Sequence, residues 1–109
     1  VKDNFTIMKE EPFGPLVPIL TFKNFDEVIE RANDNDLGLC SYLYTNSMDK
    51  AHIGSEKLES GCVAVNTGVV AIAEAPFSGI KQTGYGREGG SGAIKDYLNV
   101  KYTHMGLKI

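Results

Sequence analysis

Apolar residues occur along this chain in short continuous runs and in helix-spaced sets, and the two patterns alternate. The runs at residues 16–22, 39–45 and 61–66 are rich in β-forming side chains, which is typical of buried strands. Residues 25–32 and 48–58 carry apolar side chains three or four positions apart, which predicts helices. The side chains expected to face the core are Phe25, Val28, Ile29 and Ala32 in the first helix and Met48, Ala51, Ser55 and Leu58 in the second.

Polar residues mark where these helices begin. Asn24, with Glu27 three residues later, predicts an N-terminal cap for the first helix, which we expect to end between residues 33 and 38. Asn46 or Ser47 is expected to cap the second helix. The chain therefore predicts a strand, helix, strand, helix, strand order.

This βαβαβ order predicts an α/β fold with right-handed crossovers and a parallel sheet. Pro18 disfavours a central sheet position for the first half of its strand. Ligands of such sheets meet the loops at the carboxyl ends of the strands, here residues 67–92. No element is predicted in that loop, and loops of such length are more often functional than not.

The end of the chain predicts an element without a partner. Residues 93–98 are expected to form a short helix or turn, and residues 100–105 alternate as a strand does. An uncovered strand edge is an aggregation hazard. We therefore expect a homo-oligomer in which another subunit covers this strand.

Composition restricts the class of protein. The 109 residues are 42% hydrophobic and 23% charged, with a net charge of −3, as in a soluble globular domain. The absence of a basic cluster argues against nucleic acid or an anionic membrane surface as partner. Because no sequence run resembles a signal or a membrane span, we expect a cytoplasmic protein. Since Val1 stands where Met would begin a protein, we also expect a piece of a longer chain.

The sequence EEPFGP at residues 10–15 predicts a stiff corner. Its prolines fix their own φ and Gly14 permits a tight turn, so Glu11 and Phe13 should point in fixed directions. A carboxylate suits the two hydroxyls of a ribose, and an aromatic ring suits a flat apolar or cationic group. The alternative is an ordinary loop in which Phe13 fills the core and the glutamates face water.

Residues with catalytic or metal-binding chemistry form no recognisable set. Cys40 and Cys62 lie in apolar runs without a neighbouring base, which favours two small buried side chains. His52 and His104 have no partners spaced for a metal. The sequence GYGREG at residues 84–89 matches the dinucleotide fingerprint, but it follows a polar loop, which favours an ordinary turn. We therefore predict no catalytic residue and no metal site.

Several motifs, in order along almost the whole chain, resemble the NAD(P)-dependent aldehyde dehydrogenase superfamily. They are EEPFGP at residues 10–15, residues 38–45 and 61–67, APFSGIKQTG at 75–84 and GYGREG at 84–89. The match corresponds to the C-terminal part of such an enzyme. Residues 1–92 resemble the end of its catalytic domain, and residues 93–109 its terminal turn and oligomerisation strand. The succinate-semialdehyde dehydrogenase group is the most similar.

The resemblance implies roles for particular residues. Glu11 matches a carboxylate that hydrogen-bonds the nicotinamide ribose of NAD or NADP, and Phe13 matches the aromatic side chain beside the nicotinamide. Phe77 matches an aromatic residue at the mouth of the aldehyde tunnel, and residues 67–75 match one wall. Within that wall, Ala71 stands where the succinate-semialdehyde group has a serine that contacts the substrate carboxylate. Ser78 replaces a commoner glycine.

The resemblance also implies that essential parts lie elsewhere. The family's nucleophilic cysteine, general base, oxyanion-hole residue and Rossmann domain all correspond to sequence upstream of Val1. Neither Cys40 nor Cys62 matches the nucleophile motif. We therefore expect a chain that is inactive alone but forms part of an aldehyde dehydrogenase acting on a small aldehyde. The alternative is a non-enzymatic oligomerisation module of the same fold.

Overall fold

The computed structural model describes residues 1–108 as a small α/β unit. Ile109, the last residue of the predicted terminal segment, lies outside the described residues. The helices are α1 (Phe25–Asn33) and α2 (Met48–Lys57), and 3₁₀ turns occupy Thr6–Met8 and Ala93–Tyr97. The strands are β1 (Leu37–Gly38), β2 (Cys40–Leu43), β3 (Cys62–Val65) and β4 (Ile80–Lys81).

The strands form two small ladders. Strands β2 and β3 are parallel, with Cys40 opposite Cys62 and Leu43 opposite Val65, and α2 is the crossover between them. Strands β1 and β4 are antiparallel, with Gly38 opposite Ile80. The predicted parallel pairing is therefore confirmed for the second and third of the predicted strands.

Asn24 caps α1 as predicted. Its side-chain oxygen accepts a hydrogen bond from the Glu27 N–H at 2.9 Å, and the Glu27 carboxylate accepts one from the Lys23 N–H at 2.9 Å. Two backbone donors at the start of the helix are thereby satisfied, which is the reason for preferring Asn and Glu at these positions.

Replacing Asn24 with Ala should lower the free energy of unfolding by about 1 kcal/mol, because the Glu27 N–H loses its acceptor. Thermal or denaturant unfolding of the Asn24→Ala variant, beside an Asn24→Ser variant, measures the effect. Serine retains a capping oxygen and should recover most of the loss. Equal destabilisation by Ala and Ser would contradict the capping role.

The core lies where α2 packs against the parallel ladder and α1 packs against α2. Ile29 of α1 is 7% exposed and Ala64 of β3 is 4% exposed. Gly54 of α2 is buried, and its neighbours pack so closely that an added Cβ would lie 2.5 Å from a Leu43 side-chain carbon and 3.4 Å from the Phe25 ring. Ser47 caps α2 by accepting from the Lys50 N–H at 3.3 Å.

Two predicted core positions are wrong. Met48 is 82% exposed, and Ala32 is also exposed. Met48 is the first residue of α2, and at this end of the helix its side chain faces solvent. The buried face of α2 instead centres on Gly54, whose small size lets the helix approach β2 closely.

The predicted first and last strands do not form ladders within residues 1–108. Residues 16–22 and 100–105 carry no strand pairing in this part of the chain. A strand requires a neighbour that accepts and donates backbone hydrogen bonds. Pro18 also removes a donor from the first segment. The described chain thus has a βαβ unit in place of the expected βαβαβ unit.

The loop at residues 67–92 contains more structure than expected. Strand β4 lies inside it, and Phe77 and Glu88 form an isolated antiparallel bridge with hydrogen bonds of 2.7 and 2.9 Å. The 3₁₀ turn at Ala93–Tyr97 agrees with the short helix or turn predicted there. Within residues 1–108, no helix has the length and apolar character needed to cross a bilayer.

Candidate functional site

The EEPFGP corner is a tight turn, as predicted. The Gly14 N–H donates to the Pro12 carbonyl at 3.1 Å, and the Leu16 N–H donates to the Gly14 carbonyl at 2.8 Å. Hydrogen bonds across two residues are characteristic of γ-turns, the tightest backbone turns. The turn forms without a positive φ at Gly14, where nothing lies within 4 Å of an added Cβ.

Glu11 lines a cavity of about 620 Å³ between this corner and the start of β2. Its carboxylate makes no hydrogen bond or ion pair with any other residue in 1–108, so both oxygens stay available as acceptors. The cavity faces the amino end of β2, whereas we expected a site at the carboxyl ends of the strands. Residues of the corner and of β1 line this cavity together, and β1 leads into β2. The remaining lining residues are Ile7, Met8, Lys9, Glu10, Pro12, Ala32, Asn35, Leu37, Gly38, Leu39, Cys40, Ser41, Ser60, Gln82 and Thr83.

Gly38, one of the residues that line this cavity, makes backbone hydrogen bonds to distant segments. Its N–H donates to Thr83 Oγ1 at 2.8 Å, and its carbonyl accepts from the Gly61 N–H at 3.0 Å. A Cβ on Gly38 would lie 2.6 Å from the Glu59 carbonyl oxygen, so only glycine permits this approach. Gly38 therefore holds together three segments that are distant in sequence: strand β1, residues 59–61 and the segment at Thr83.

Three polar contacts hold the Lys81 ammonium group against neighbouring segments of the chain. Its ammonium group donates to the Asn33 and Asn35 carbonyls at 2.8 and 2.9 Å and pairs with the Glu59 carboxylate at 2.6 Å. A cation at the C-terminus of α1 is favoured by the helix dipole. Lys81 therefore ties the end of α1 to the segment that precedes β3.

Phe13 lies outside the Glu11 cavity and is 96% exposed. The alternative is therefore wrong for Phe13, which does not fill the core of residues 1–108, whereas Glu10 and Glu11 are exposed, as that alternative expects. The ring presents both faces to solvent, so the residue has a free flat surface. Glu11 and Phe13 lie on the same turn, but of these two residues only Glu11 lines the cavity.

Phe77 lines a second cavity, of about 350 Å³, with Arg87 and Tyr97. Leu39 and Thr83 line both cavities, so the two are adjacent. Ala71 is exposed and lines neither of them. The structure thus places Glu11 and Phe77 on two sides of one wall, while Phe13 and Ala71 remain apart.

The glycines of GYGREG form turns. Gly84, Gly86 and Gly89 have φ values of 125°, 95° and 67°, and the Arg87 N–H donates to the Asp96 carboxylate at 2.7 Å. The tightly turned loop favoured by the sequence agrees with these angles. Ser78 has no positive φ, so serine is tolerated in the turn where glycine is commoner.

Cys40 and Cys62 are half-buried and unoxidised. Burial, and then the closeness of the Cys62 thiol, raises the pKa of Cys40 above its usual value. A raised pKa keeps the thiol protonated and makes it a weak nucleophile at neutral pH. Cys40 lines the Glu11 cavity, so its sulfur adds no ready nucleophile there.

Sequence reasoning missed Leu39 and Thr83, the residues shared by both cavities. Leu39 precedes β2 directly, and Thr83 acts through a hydrogen bond that spans 45 positions in sequence. Local patterns cannot reveal a contact of that separation. The only signal in the sequence is Gly38, where a missing side chain marks a close approach of two backbones.

Known proteins resemble this chain over nearly its whole length. A profile of the aldehyde dehydrogenase family matches residues 1–103. The succinate-semialdehyde dehydrogenase [NADP(+)] GabD of Escherichia coli is 45% identical over 98% of this chain and 22% of its own length. Retinaldehyde dehydrogenase 3 of Rattus norvegicus is 50% identical over 93% of this chain and 20% of its own length.

Solved structures agree with the sequences. The NAD⁺ complex of an aldehyde dehydrogenase from Bacillus cereus superposes with a TM-score of 0.89 and 46% identity over 93% of this chain and 21% of that protein. The chain thus spans about a fifth of the length of the relatives it matches. The chain belongs to the aldehyde dehydrogenase family, whose members are oxidoreductases.

Proposed function

We propose that this chain is the C-terminal part of an NAD(P)-dependent aldehyde dehydrogenase that oxidises an aldehyde or semialdehyde to a carboxylic acid. The supporting observation is a similarity that covers nearly all of this chain and about a fifth of each relative. In this proposal the chain contributes contacts to cofactor and substrate. The nucleophile and the Rossmann domain belong to the remaining four fifths, and the chain alone is inactive.

Glu11 is proposed to hold the nicotinamide ribose. The unpartnered carboxylate at the edge of a cavity fits this role, because two adjacent ribose hydroxyls are donors that match its two oxygens. Phe13 is proposed to lie beside the nicotinamide, and its exposed ring is available for that contact. When bound, the nicotinamide supplies a hydride acceptor, and these residues would orient it.

Phe77 and Ala71 are proposed to line the aldehyde tunnel. The support for Phe77 is that Leu39 and Thr83 line both its cavity and the Glu11 cavity, so the two cavities are adjacent. Ala71 is exposed here, so its role would require a wall supplied by other parts of the enzyme. An alanine at this position provides no hydrogen bond for a substrate carboxylate, which leaves an apolar aldehyde as an open alternative to a semialdehyde.

The surface of the chain supports association with further protein. Its accessible area is 9314 Å², whereas a compact monomer of this mass exposes about 6,000 Å². Its radius of gyration is 19.4 Å, against about 13 Å for a compact chain of this length. Val100, Tyr102 and Leu107 are among the large exposed apolar residues. We propose that the rest of the enzyme and a second subunit cover this surface.

In that setting residues 16–22 and 100–105 would find strand neighbours and complete the βαβαβ sheet and the oligomerisation strand. We retain the division into a catalytic-domain part, residues 1–92, and a terminal part, residues 93–109, and a location in the cytoplasm. The proposed cofactor is NAD or NADP, since the relatives above include an NADP⁺ enzyme and an NAD⁺ complex.

The same exposed surface favours the second candidate, a non-enzymatic assembly module. Cofactor binding distinguishes the two. If the module were the function, the chain joined to its upstream sequence would associate without binding a nicotinamide nucleotide.

The direct test compares this chain alone with the same chain joined to its upstream sequence. Each protein is mixed with succinate semialdehyde or retinaldehyde and with NAD⁺ or NADP⁺, and the absorbance of the reduced nicotinamide is followed. We expect turnover only from the longer protein, because neither cysteine of residues 1–109 is proposed as the nucleophile. Turnover by the chain alone would contradict the division of roles, and none by the longer protein would contradict the enzyme.

A further inference from the structure

The two cysteines stand directly opposite each other in the parallel ladder. Cys40 is the first residue of β2, Cys62 is the first residue of β3, and their Cα atoms are register partners. Neighbouring strands lie about 4.8 Å apart. A disulfide requires Cα atoms separated by about 4.4–6.8 Å. The backbone therefore already satisfies the distance requirement for a cross-strand disulfide.

The side chains and their surroundings agree with the backbone. Register partners in a ladder project to the same face of the sheet, so both thiols lie on one side. The Cys62 thiol is close enough to contribute to the raised pKa of Cys40. Cys40 also lines the Glu11 cavity, which gives a small oxidant a route to its sulfur. Proximity, shared direction and access are all present.

We propose that Cys40 and Cys62 form a dithiol site that hydrogen peroxide converts to an intrachain disulfide. One thiolate attacks a peroxide oxygen, the O–O bond breaks, and the departing hydroxide takes a proton to become water. The resulting sulfenic acid is attacked by the second sulfur, so that an S–S bond forms and a second water leaves. Two sulfur atoms are oxidised and the two peroxide oxygens are reduced.

This disulfide would join β2 to β3 at the amino end of the ladder, in the wall of the cavity that Glu11 lines. Because the Cys40 pKa is raised, its thiolate is scarce at neutral pH. The rate of cross-linking should therefore increase as the pH is raised from about 7 to about 9.

The experiment treats the folded protein, joined to its upstream sequence, with hydrogen peroxide and then blocks the remaining thiols. Trypsin cuts after Arg31, Lys50, Lys57 and Lys81, so Cys40 and Cys62 fall on separate peptides, residues 32–50 and 58–81. Mass spectrometry should find these two peptides linked, the link should vanish on reduction, and its yield should not depend on protein concentration.

A register-shifted variant provides the matched control. Cys40→Ser combined with Ser41→Cys keeps two cysteines but turns the thiol to the opposite face of β2. Its thermal unfolding checks that it folds, and its yield of linked peptides should fall at least tenfold. The proposal is overturned if both proteins give equal yields of linked peptides, or if the peptides become linked only after denaturation. It is also overturned if peroxide produces only unlinked peptides that carry sulfinic or sulfonic acid.

Discussion

Replacing Glu11 with Gln in the full-length enzyme is expected to lower kcat/KM for aldehyde oxidation by roughly 10- to 100-fold. The proposed ribose contact is a hydrogen bond to a charged group, which contributes about 1.5–3 kcal/mol. The amide of the Glu11→Gln variant keeps one acceptor oxygen and replaces the other with a donor, so it cannot accept from both hydroxyls. The loss should appear in the hydride-transfer rate of a single turnover or in the Kd of the nicotinamide nucleotide.

Glu10→Gln is the matched control for this variant. Glu10 precedes Glu11, lines the same cavity and carries the same charge, but the family resemblance gives it no ribose contact. Its kcat/KM should stay within about twofold of the parent enzyme. Equal losses in both variants would mean that the cavity requires negative charge and no particular oxygen, and no loss in either would remove Glu11 from the site.

The sequence was most informative where the determining chemistry is local. Asn24 and Ser47 cap helices through hydrogen bonds that span three residues, and both caps were predictable from side-chain type. Strands β1 and β4 were missed because each is two residues long and pairs with a segment distant in sequence. No hydrophobic period can be read from two residues.

The candidate site was predictable only where a residue's own chemistry decides its position. The prolines around Glu11 stiffen the corner, and Glu11 is one of the residues that line a cavity. The surroundings of Phe13 and Ala71 depend on what faces them, and in this chain solvent faces both. The lack of strand pairing at residues 16–22 and 100–105 in the described chain has the same cause, because strand pairing is decided by the neighbour as much as by the strand.

The sequence places the two cysteines on consecutive predicted strands, but their opposition was not predicted from it. Cys40 is the second residue of the predicted strand 39–45, and Cys62 is the second residue of the predicted strand 61–66. Consecutive strands joined by a helix are expected to be parallel neighbours. The register that places Cys40 opposite Cys62 comes from the structure. Considering each cysteine separately concealed the pair.

Gly61 offers the strongest test of the packing behind the Phe77 cavity. Its N–H donates to the Gly38 carbonyl at 3.0 Å, and its Cα faces the loop that carries Phe77. A Cβ on Gly61 would overlap the Ser78 carbonyl oxygen and lie 3.0 Å from the Gly79 Cα. Both obstacles are backbone atoms, so no side-chain rotation relieves the overlap, and β3 or the loop must move.

The Gly61→Ala variant of the full-length enzyme should therefore lose about 3 kcal/mol of stability, at the upper end of what overpacking costs. Gly92→Ala is the control, since Gly92 has a φ of −88° and nothing lies within 4 Å of an added Cβ. That change should be neutral or slightly stabilising, because alanine restricts the unfolded chain. Thermal unfolding and soluble yield of the two variants measure the difference. If the thermal unfolding midpoint of Gly61→Ala lay within about a degree of that of Gly92→Ala, the loop at Ser78 would move without cost. The packing beside the Phe77 cavity would then not be rigid.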